Sequence, residues 1–127
     1  MRTAGALLAL AAATAGCVAT APPAPGLADL LDRPAERALY DAMRAYDDGQ
    51  YPQADSALRH ALARGLGSAR DRATAHKLRA FISCSSERLP DCEAEFRAAR
   101  AADPNFALTR SESGHPLWGP VYRRVLP

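Results

Sequence analysis

Proline and glycine divide the chain after residue 33 into four alanine-rich segments, each long enough for one helix. Proline is tolerated in the first turn of a helix, and glycine readily takes the left-handed conformation in which many helices end. The divisions fall at Pro34, Gly49, Pro52, Gly65, Pro90 and the pair Asp103-Pro104. Because only a few residues join neighbouring segments, consecutive helices must fold back on each other. The sequence therefore predicts an all-α domain of two antiparallel helical hairpins.

Apolar residues recur within these segments at three- and four-residue steps, as on the buried face of an amphipathic helix. We predict helices over residues 34–48, 52–65, 68–84 and 90–102, with Ser68 as the N-cap of the third. Their apolar positions are Leu39, Ala42, Met43, Tyr46, Ala54, Ala57, Leu58, Ala61, Leu62, Ala73, Leu78, Phe81, Ile82, Cys92, Phe96 and Ala99. Since 29 of the 127 residues are alanine, the core must depend on close contacts between helices.

The first hairpin resembles the tetratricopeptide repeat, in which glycine, aromatic and spaced small residues let two helices approach closely. The matching residues are Gly49, Tyr51, Ala54, Leu58, Ala61 and Leu62. In the second hairpin the matches are Ala80, Phe96, Ala99 and Pro104, while residues 85–89 replace the turn glycine and its aromatic neighbour. Two repeats are fewer than a solenoid normally needs, so another segment must seal the open end. We expect a short C-terminal capping helix started by Pro120, with Trp118, Val121, Tyr122 and Val125 covering that end.

The first 16 residues have the pattern of a secretory signal peptide. A minimal positive start is followed by an apolar stretch of about a dozen residues, well short of the roughly 20 that a membrane-spanning helix needs. Residues 14–17, Thr-Ala-Gly-Cys, resemble the bacterial lipobox, whose cysteine is lipidated and becomes the first residue of the mature protein. The resemblance implies that acyl chains on Cys17 hold the protein to a membrane.

Residues 17–33 are predicted to be the lipidated N-terminus and a tether rich in proline and alanine, and residues 34–127 the helical domain. Prolines at positions 22, 23 and 25 remove hydrogen-bond donors and favour an extended backbone. Val18, not an acidic residue, follows Cys17, which in Gram-negative lipoproteins implies sorting to the outer membrane. We expect the protein on the periplasmic face of that membrane.

The string Gly-His-Pro-Leu-Trp-Gly-Pro at residues 114–120 is the most distinctive motif of the chain. Together with residues 76–84, residues 92–97 and Asp103-Pro104, it resembles the TssQ family of small lipoproteins associated with the type VI secretion system of Gram-negative bacteria. The resemblance implies an accessory role in a membrane-anchored secretion apparatus, with secretion-system or envelope proteins as partners. It implies no catalytic residue.

Two cysteines, Cys84 and Cys92, remain once Cys17 is assigned to lipid. In a chain exported to the oxidising periplasm they are expected to form a disulfide. This bond would close the turn that lacks glycine and contribute on the order of 2 to 3 kcal/mol in the chain-entropy model. The alternative is a metal site that adds His76, but no Cys-x-x-Cys pair or fourth ligand is evident, and we expect no metal.

Charge and motif content exclude several other functions. The formal net charge of +2 is too small for a strongly basic surface, so nucleic acid is not expected as a partner. The histidines at positions 60, 76 and 115 are scattered and define no Ser-His-Asp or Cys-His arrangement. No glycine-rich phosphate loop occurs. We therefore expect neither enzyme activity nor a cofactor.

Two functional classes remain. The first is a lipid-tethered interaction scaffold whose groove or tail docks another protein of a secretion machine. Arg123 and Arg124 are then the expected contacts for an acidic partner, beside Trp118 and Tyr122, whose rings either pack on the core or join the contact. The second is an envelope lipoprotein that binds peptidoglycan or a small periplasmic ligand on a stacking platform made by the same two aromatic rings.

Overall fold

The structure, a computed structural model, describes residues 21, 23, 24 and 26–127. Within these residues the chain forms seven helices and no strand, which confirms the predicted all-α class. The helices are α1 (Leu27–Leu31), α2 (Pro34–Asp47), α3 (Tyr51–Arg64), α4 (Ala69–Ser85), α5 (Leu89–Ala102), α6 (Arg110–Ser113) and α7 (Gly119–Val125). No helix in this part of the chain has both the length and the hydropathy of a membrane span. The predicted signal peptide and the lipidation site Cys17 lie outside the described residues.

Helices α2 and α3 form the first antiparallel hairpin, and α4 and α5 form the second. Helix α4 also packs against α3, which joins the two hairpins. Each of these four helices begins and ends within one residue of its predicted bounds. Ser68 caps α4 as predicted, since its Oγ accepts a hydrogen bond of 2.9 Å from the backbone N–H of Asp71.

Small and aromatic side chains fill the space between the hairpins. Six of the matched repeat positions are fully buried, whereas Leu62 is half-buried and Tyr51 and Pro104 are exposed; the buried six are Ala54, Leu58, Ala61, Ala80, Phe96 and Ala99. Helix α4 buries eight of its residues, more than one helix face can hold. Its contacts with several neighbours explain why its sequence shows a less regular apolar period than those of the other helices.

The two hairpin turns use different residues for the same left-handed backbone conformation. Gly49 has a φ of 73° in the first turn, whereas Glu87 has a φ of 59° in the second. For a residue with a side chain this conformation costs about 1–2 kcal/mol. The second turn is also closed by the predicted disulfide between Cys84 and Cys92, which is present with both residues buried.

Helix α7 is the predicted cap, and it packs on α5 at the end of the helical array. It begins at Gly119, one residue before Pro120. Val121 is buried, and the ring centroid of Tyr122 lies 5.5 Å from that of Phe96. At the other end of the described chain, α1 lies within the predicted tether and packs against α2.

Replacing Glu87 by glycine is expected to raise the free energy of unfolding by about 0.5–1 kcal/mol. Glycine removes the strain of the left-handed backbone from the folded state, and it also raises the conformational entropy of the unfolded chain. The first effect stabilises the protein and should be larger than the second, which destabilises it. Chemical denaturation of the oxidised protein measures this difference. Ser86→Gly is the matched control, because Ser86 has a φ of −100° and gains no such relief. A loss of stability in Glu87→Gly as large as that in the control would contradict the prediction.

Candidate interaction site

Residues 103–118, here called the strap, run along α4 and connect α5 to the cap. Near its start Phe106 is buried, and its carbonyl oxygen accepts a hydrogen bond of 3.0 Å from Nε of Arg100. Further along, the backbone N–H of Leu108 donates to the hydroxyl of Tyr122 at 3.2 Å. These two bonds attach the first part of the strap to α5 and to α7.

The middle of the strap is held to α4 by Glu112. Oε1 of this carboxylate lies 2.6 Å from Nζ of Lys77, the single lysine of the chain. Oε2 accepts a hydrogen bond from the backbone N–H of Thr109, and the Thr109 hydroxyl accepts one from the N–H of Glu112. This reciprocal pair is a capping box that starts α6. The sequence signal, a threonine followed three residues later by glutamate, was missed in the sequence analysis.

The environment of Glu112 favours its ionised form. Burial disfavours the charge, but the hydrogen bonds from Lys77 and Thr109 outweigh burial, and the pKa of Glu112 is lowered from its ordinary value. The carboxylate therefore stays charged at neutral pH and holds the strap on α4 through an ion pair.

The end of the strap is held by a stack of three rings. The centroid of Trp118 lies 4.1 Å from that of Phe81 and 3.4 Å from that of His115, and both neighbours are nearly parallel to the indole. Two rings at these distances must occupy opposite faces of the indole. Its Nε1–H donates to the carbonyl oxygen of Glu112 at 2.9 Å. Trp118 therefore packs on the core and has no open ring face for a ligand.

The motif at residues 114–120 has a structural role in this stack. A Cβ atom added at Gly119 would lie 2.3 Å from the carbonyl oxygen of Ser113, so the backbones approach too closely for any other residue type. The N–H of Gly119 also donates to the carbonyl oxygen of His115 at 2.9 Å. Glycine thus lets the chain turn back from the ring stack into α7.

The four residues predicted to contact a partner all lie at or next to the cap, and each also makes contacts within the chain. Arg123 donates to the carbonyl oxygen of Ser113 at 2.7 Å. Arg124 forms an ion pair with Glu93, and hydrogen bonds from Arg124 and Arg97 lower the pKa of that carboxylate. Trp118 and Tyr122 are half-buried against the core. The structure therefore brings these residues together but also uses them to hold the cap.

His76, considered as a metal ligand, belongs instead to a network of polar side chains across three helices. Its Nδ1 lies 2.7 Å from Oε2 of Glu95 on α5. Arg79 on α4 pairs with the same glutamate and with Asp55 on α3. The cysteines of the alternative metal site are joined as a disulfide. Among the described residues, no group of three or more His, Cys, Asp or Glu side chains is placed to hold a metal ion.

An apolar surface lies on the side of α2 that borders α4, and we call it the α2 face. It consists of Tyr40 and Met43 with the carboxylate of Asp47 at its end, and these three residues are spaced three and four positions apart. The side chains of Tyr40 and Met43 are exposed by 49% and 43%. Met43 was predicted on the buried face, but among the described residues α4 covers this side of α2 only in part. The α2 face is the surface that sequence reasoning missed.

A cleft of about 220 Å³ lies beside the α2 face, between the C-terminal halves of α2 and α4. It is lined by Met43, Tyr46, Asp47, Leu78, Phe81 and Glu112. Burial, followed by the effects of Tyr51, Asp47 and Glu112, raises the pKa of Tyr46. The cleft thus combines aromatic walls with two carboxylates.

A wider groove of about 710 Å³ lies between α2 and α3 on the opposite end of the array from the cap. Ala38 and Ala57 are half-buried along it, and Arg37, Asp41 and Gln53 are exposed around it. Its residues provide matched controls for substitutions in the α2 face.

Comparison of the chain with protein-family models, curated proteins and solved structures finds no match. The function is therefore argued from the residues and surfaces of the chain.

Replacing Trp118 by alanine is expected to lower the free energy of unfolding by about 3–5 kcal/mol, because it removes the central ring of the stack. Thermal or chemical denaturation measures the loss. Leu117→Ala is the control, since the neighbouring side chain is 51% exposed and should change stability by less than about 0.5 kcal/mol. A melting curve of Trp118→Ala that overlays the wild type would show that the ring does not support the core.

The ion pair of Glu112 is expected to make stability depend on pH. A lowered pKa in the folded state stabilises the protein above the ordinary carboxyl pKa, and this contribution is lost as the pH falls through the lowered value. The free energy of unfolding of the wild type should therefore exceed that of Glu112→Gln at pH 7. This difference, the gap, should close below about pH 4. Denaturation at a series of pH values measures the gap.

The same comparison in a Lys77→Met background provides the control, because the partner charge is then absent. There the difference between Glu112 and glutamine should depend much less on pH. A constant gap between pH 3 and pH 7 in the wild-type background would refute the role of the ion pair.

Proposed function

We propose that the protein is a lipid-anchored interaction scaffold on the periplasmic face of the outer membrane, and that it serves as an accessory protein of a type VI secretion system. The anchor rests on the lipobox-like residues 14–17, with Cys17 as the lipidated residue. The link to secretion rests on the string at residues 114–120 and its resemblance to the TssQ family. Its partners are other secretion-system or envelope proteins.

The α2 face is the observation that carries the scaffold proposal. Tyr40 and Met43 expose large side chains about one helical turn apart, and Met43 lines the cleft. Aromatic residues and methionine are enriched at protein-binding surfaces. The helices behind the α2 face are held by the disulfide and by the network of Asp55, Arg79 and Glu95. A rigid support lowers the entropy lost when a partner binds.

The cap is a weaker candidate for the docking surface. Arg124 is paired with Glu93, and Arg123 is bonded to the carbonyl of Ser113. Binding an acidic partner there would compete with these contacts. Trp118 has rings against both of its faces, which also disfavours the alternative of a stacking platform for peptidoglycan or a small ligand.

Site-specific photo-crosslinking in cells tests the proposal. A benzophenone amino acid at Tyr40 should give adducts that mass spectrometry identifies as subunits of the type VI secretion system. The same amino acid at Gln53, which is exposed in the groove between α2 and α3, is the control and should give few adducts. Cys17→Ser should release the protein from the membrane and reduce the Tyr40 adducts, because the tether holds scaffold and partner together.

Two results would count against the proposal. If Tyr40 and Gln53 give equal adduct patterns, the α2 face is not a specific docking surface. If Cys17→Ser leaves the protein in the membrane fraction and the wild type carries no lipid-modified N-terminal peptide, the anchor assignment is wrong.

A further inference from the structure

We propose that the cleft beside the α2 face binds a single arginine or lysine side chain, presented by an apolar segment of the partner protein. The inference rests on the proposed scaffold function and adds the chemistry of the partner. From the sequence, Arg123 and Arg124 are expected to contact an acidic partner. The cleft instead calls for a positively charged side chain on the partner.

The size of the cleft favours one side chain as its occupant. Pockets for cofactors and other small molecules usually measure about 300–1,000 Å³. The cleft measures about 220 Å³, below that range, and it opens directly beside the exposed Met43. A side chain that projects from a segment lying on the α2 face can therefore enter the cleft.

The lining of the cleft favours a cation. Aromatic rings of Tyr46 and Phe81 form part of its wall, and the faces of such rings attract ammonium and guanidinium groups. Phe81 is buried, its ring is stacked on Trp118, and Nζ of Lys77 already lies 5.8 Å from its centroid, so Tyr46 is the ring left for a contact with the incoming cation. The carboxylate of Asp47 lies at the rim and supplies the negative charge for an ion pair. The second carboxylate, Glu112, is bonded to Lys77 and Thr109.

The direction of the helices also favours a cation in the cleft. Since α2 and α4 both run antiparallel to α3, they are parallel to each other, and the cleft lies between their C-terminal halves. The C-terminal end of a helix carries a partial negative charge of roughly half an elementary charge. On the α4 side, the lining residues Leu78 and Phe81 lie a full turn or more before the end of the helix, so the main contribution comes from α2, whose last turn contains Asp47. Arg44 is the basic residue of the last turn of α2, and it does not line the cleft.

The exposed residues next to the cleft indicate which residues should flank the arginine or lysine in the partner segment. Tyr40 and Met43 offer apolar area on the same side of α2. Methionine is flexible and polarisable, so it adapts to side chains of different shape. The expected ligand is therefore a short segment in which one arginine or lysine stands between large apolar residues.

Two fluorescein-labelled peptides test the inference on the purified full-length protein. Each has a central residue flanked on both sides by two leucines. The central residue is arginine in one peptide and citrulline, which has the same shape without the charge, in the other. Fluorescence anisotropy should show that the arginine peptide binds about tenfold more tightly or better, consistent with a cation–π contact and an ion pair.

Asp47→Asn should remove most of this discrimination. Asp41→Asn is the matched control, because it makes the same change of charge on the same helix but lines the other groove, and it should keep the discrimination. Met43→Lys should weaken binding of the arginine peptide by placing a competing cation at the cleft. Circular dichroism melting confirms that each variant is folded, as expected for exposed positions.

Several outcomes would overturn the inference. Equal affinity for the two peptides, no binding of either at millimolar concentration, or unchanged discrimination in Asp47→Asn would each do so. Self-association that Asp47→Asn abolishes would assign the cleft to a second copy of the chain instead of a partner. Failure of the scaffold function is seen separately, as an absence of Tyr40 adducts in cells while the purified protein still discriminates between the peptides.

Discussion

The packing of α4 on three sides positions the rest of the molecule. Helix α3 lies against one side, α5 against another, and the strap runs along a third. Alanines such as Ala75 and Ala80 are fully buried in these contacts, so the backbones come close enough for dispersion forces to act over long stretches. The fourth side borders α2 and contains the cleft. A change in the tilt of α4 would therefore alter both the cleft and the surface on which the strap packs.

Local signals in the sequence predicted most of the fold. Helix bounds followed from proline, glycine and Ser68 because these residues act on the backbone next to them. The capping box of Thr109 and Glu112 is equally local and could have been predicted. The left-handed conformation of Glu87 could not, since it is imposed by a turn that the disulfide closes. The pair of Lys77 and Glu112 joins residues 35 apart and requires knowledge of the fold.

The candidate site was less predictable than the fold, for a related reason. An apolar period shows which residues share a helix face, but the extent to which a neighbour covers that face depends on tertiary packing. Met43 shares a face with buried residues, yet 43% of its side chain is exposed beside the cleft between α2 and α4. Likewise, Arg123 and Arg124 are exposed, but the sequence does not show that they also make contacts within the chain. Their contacts with Ser113 and Glu93 arise only because α7 folds back onto α5.

The position of the cleft along α2 has a mechanical consequence. The chain enters α2 at Pro34, and the cleft lies near Met43 and Asp47, which places it about 15–20 Å farther along the helix axis. If the chain is anchored through Cys17, a pulling force between membrane and bound partner acts along the length of α2. Such a load acts between two points of the same helix, so the backbone hydrogen bonds of α2 carry it and the contacts between α2 and α3 do not. The same force applied across the hairpin would instead peel the contacts apart one turn at a time.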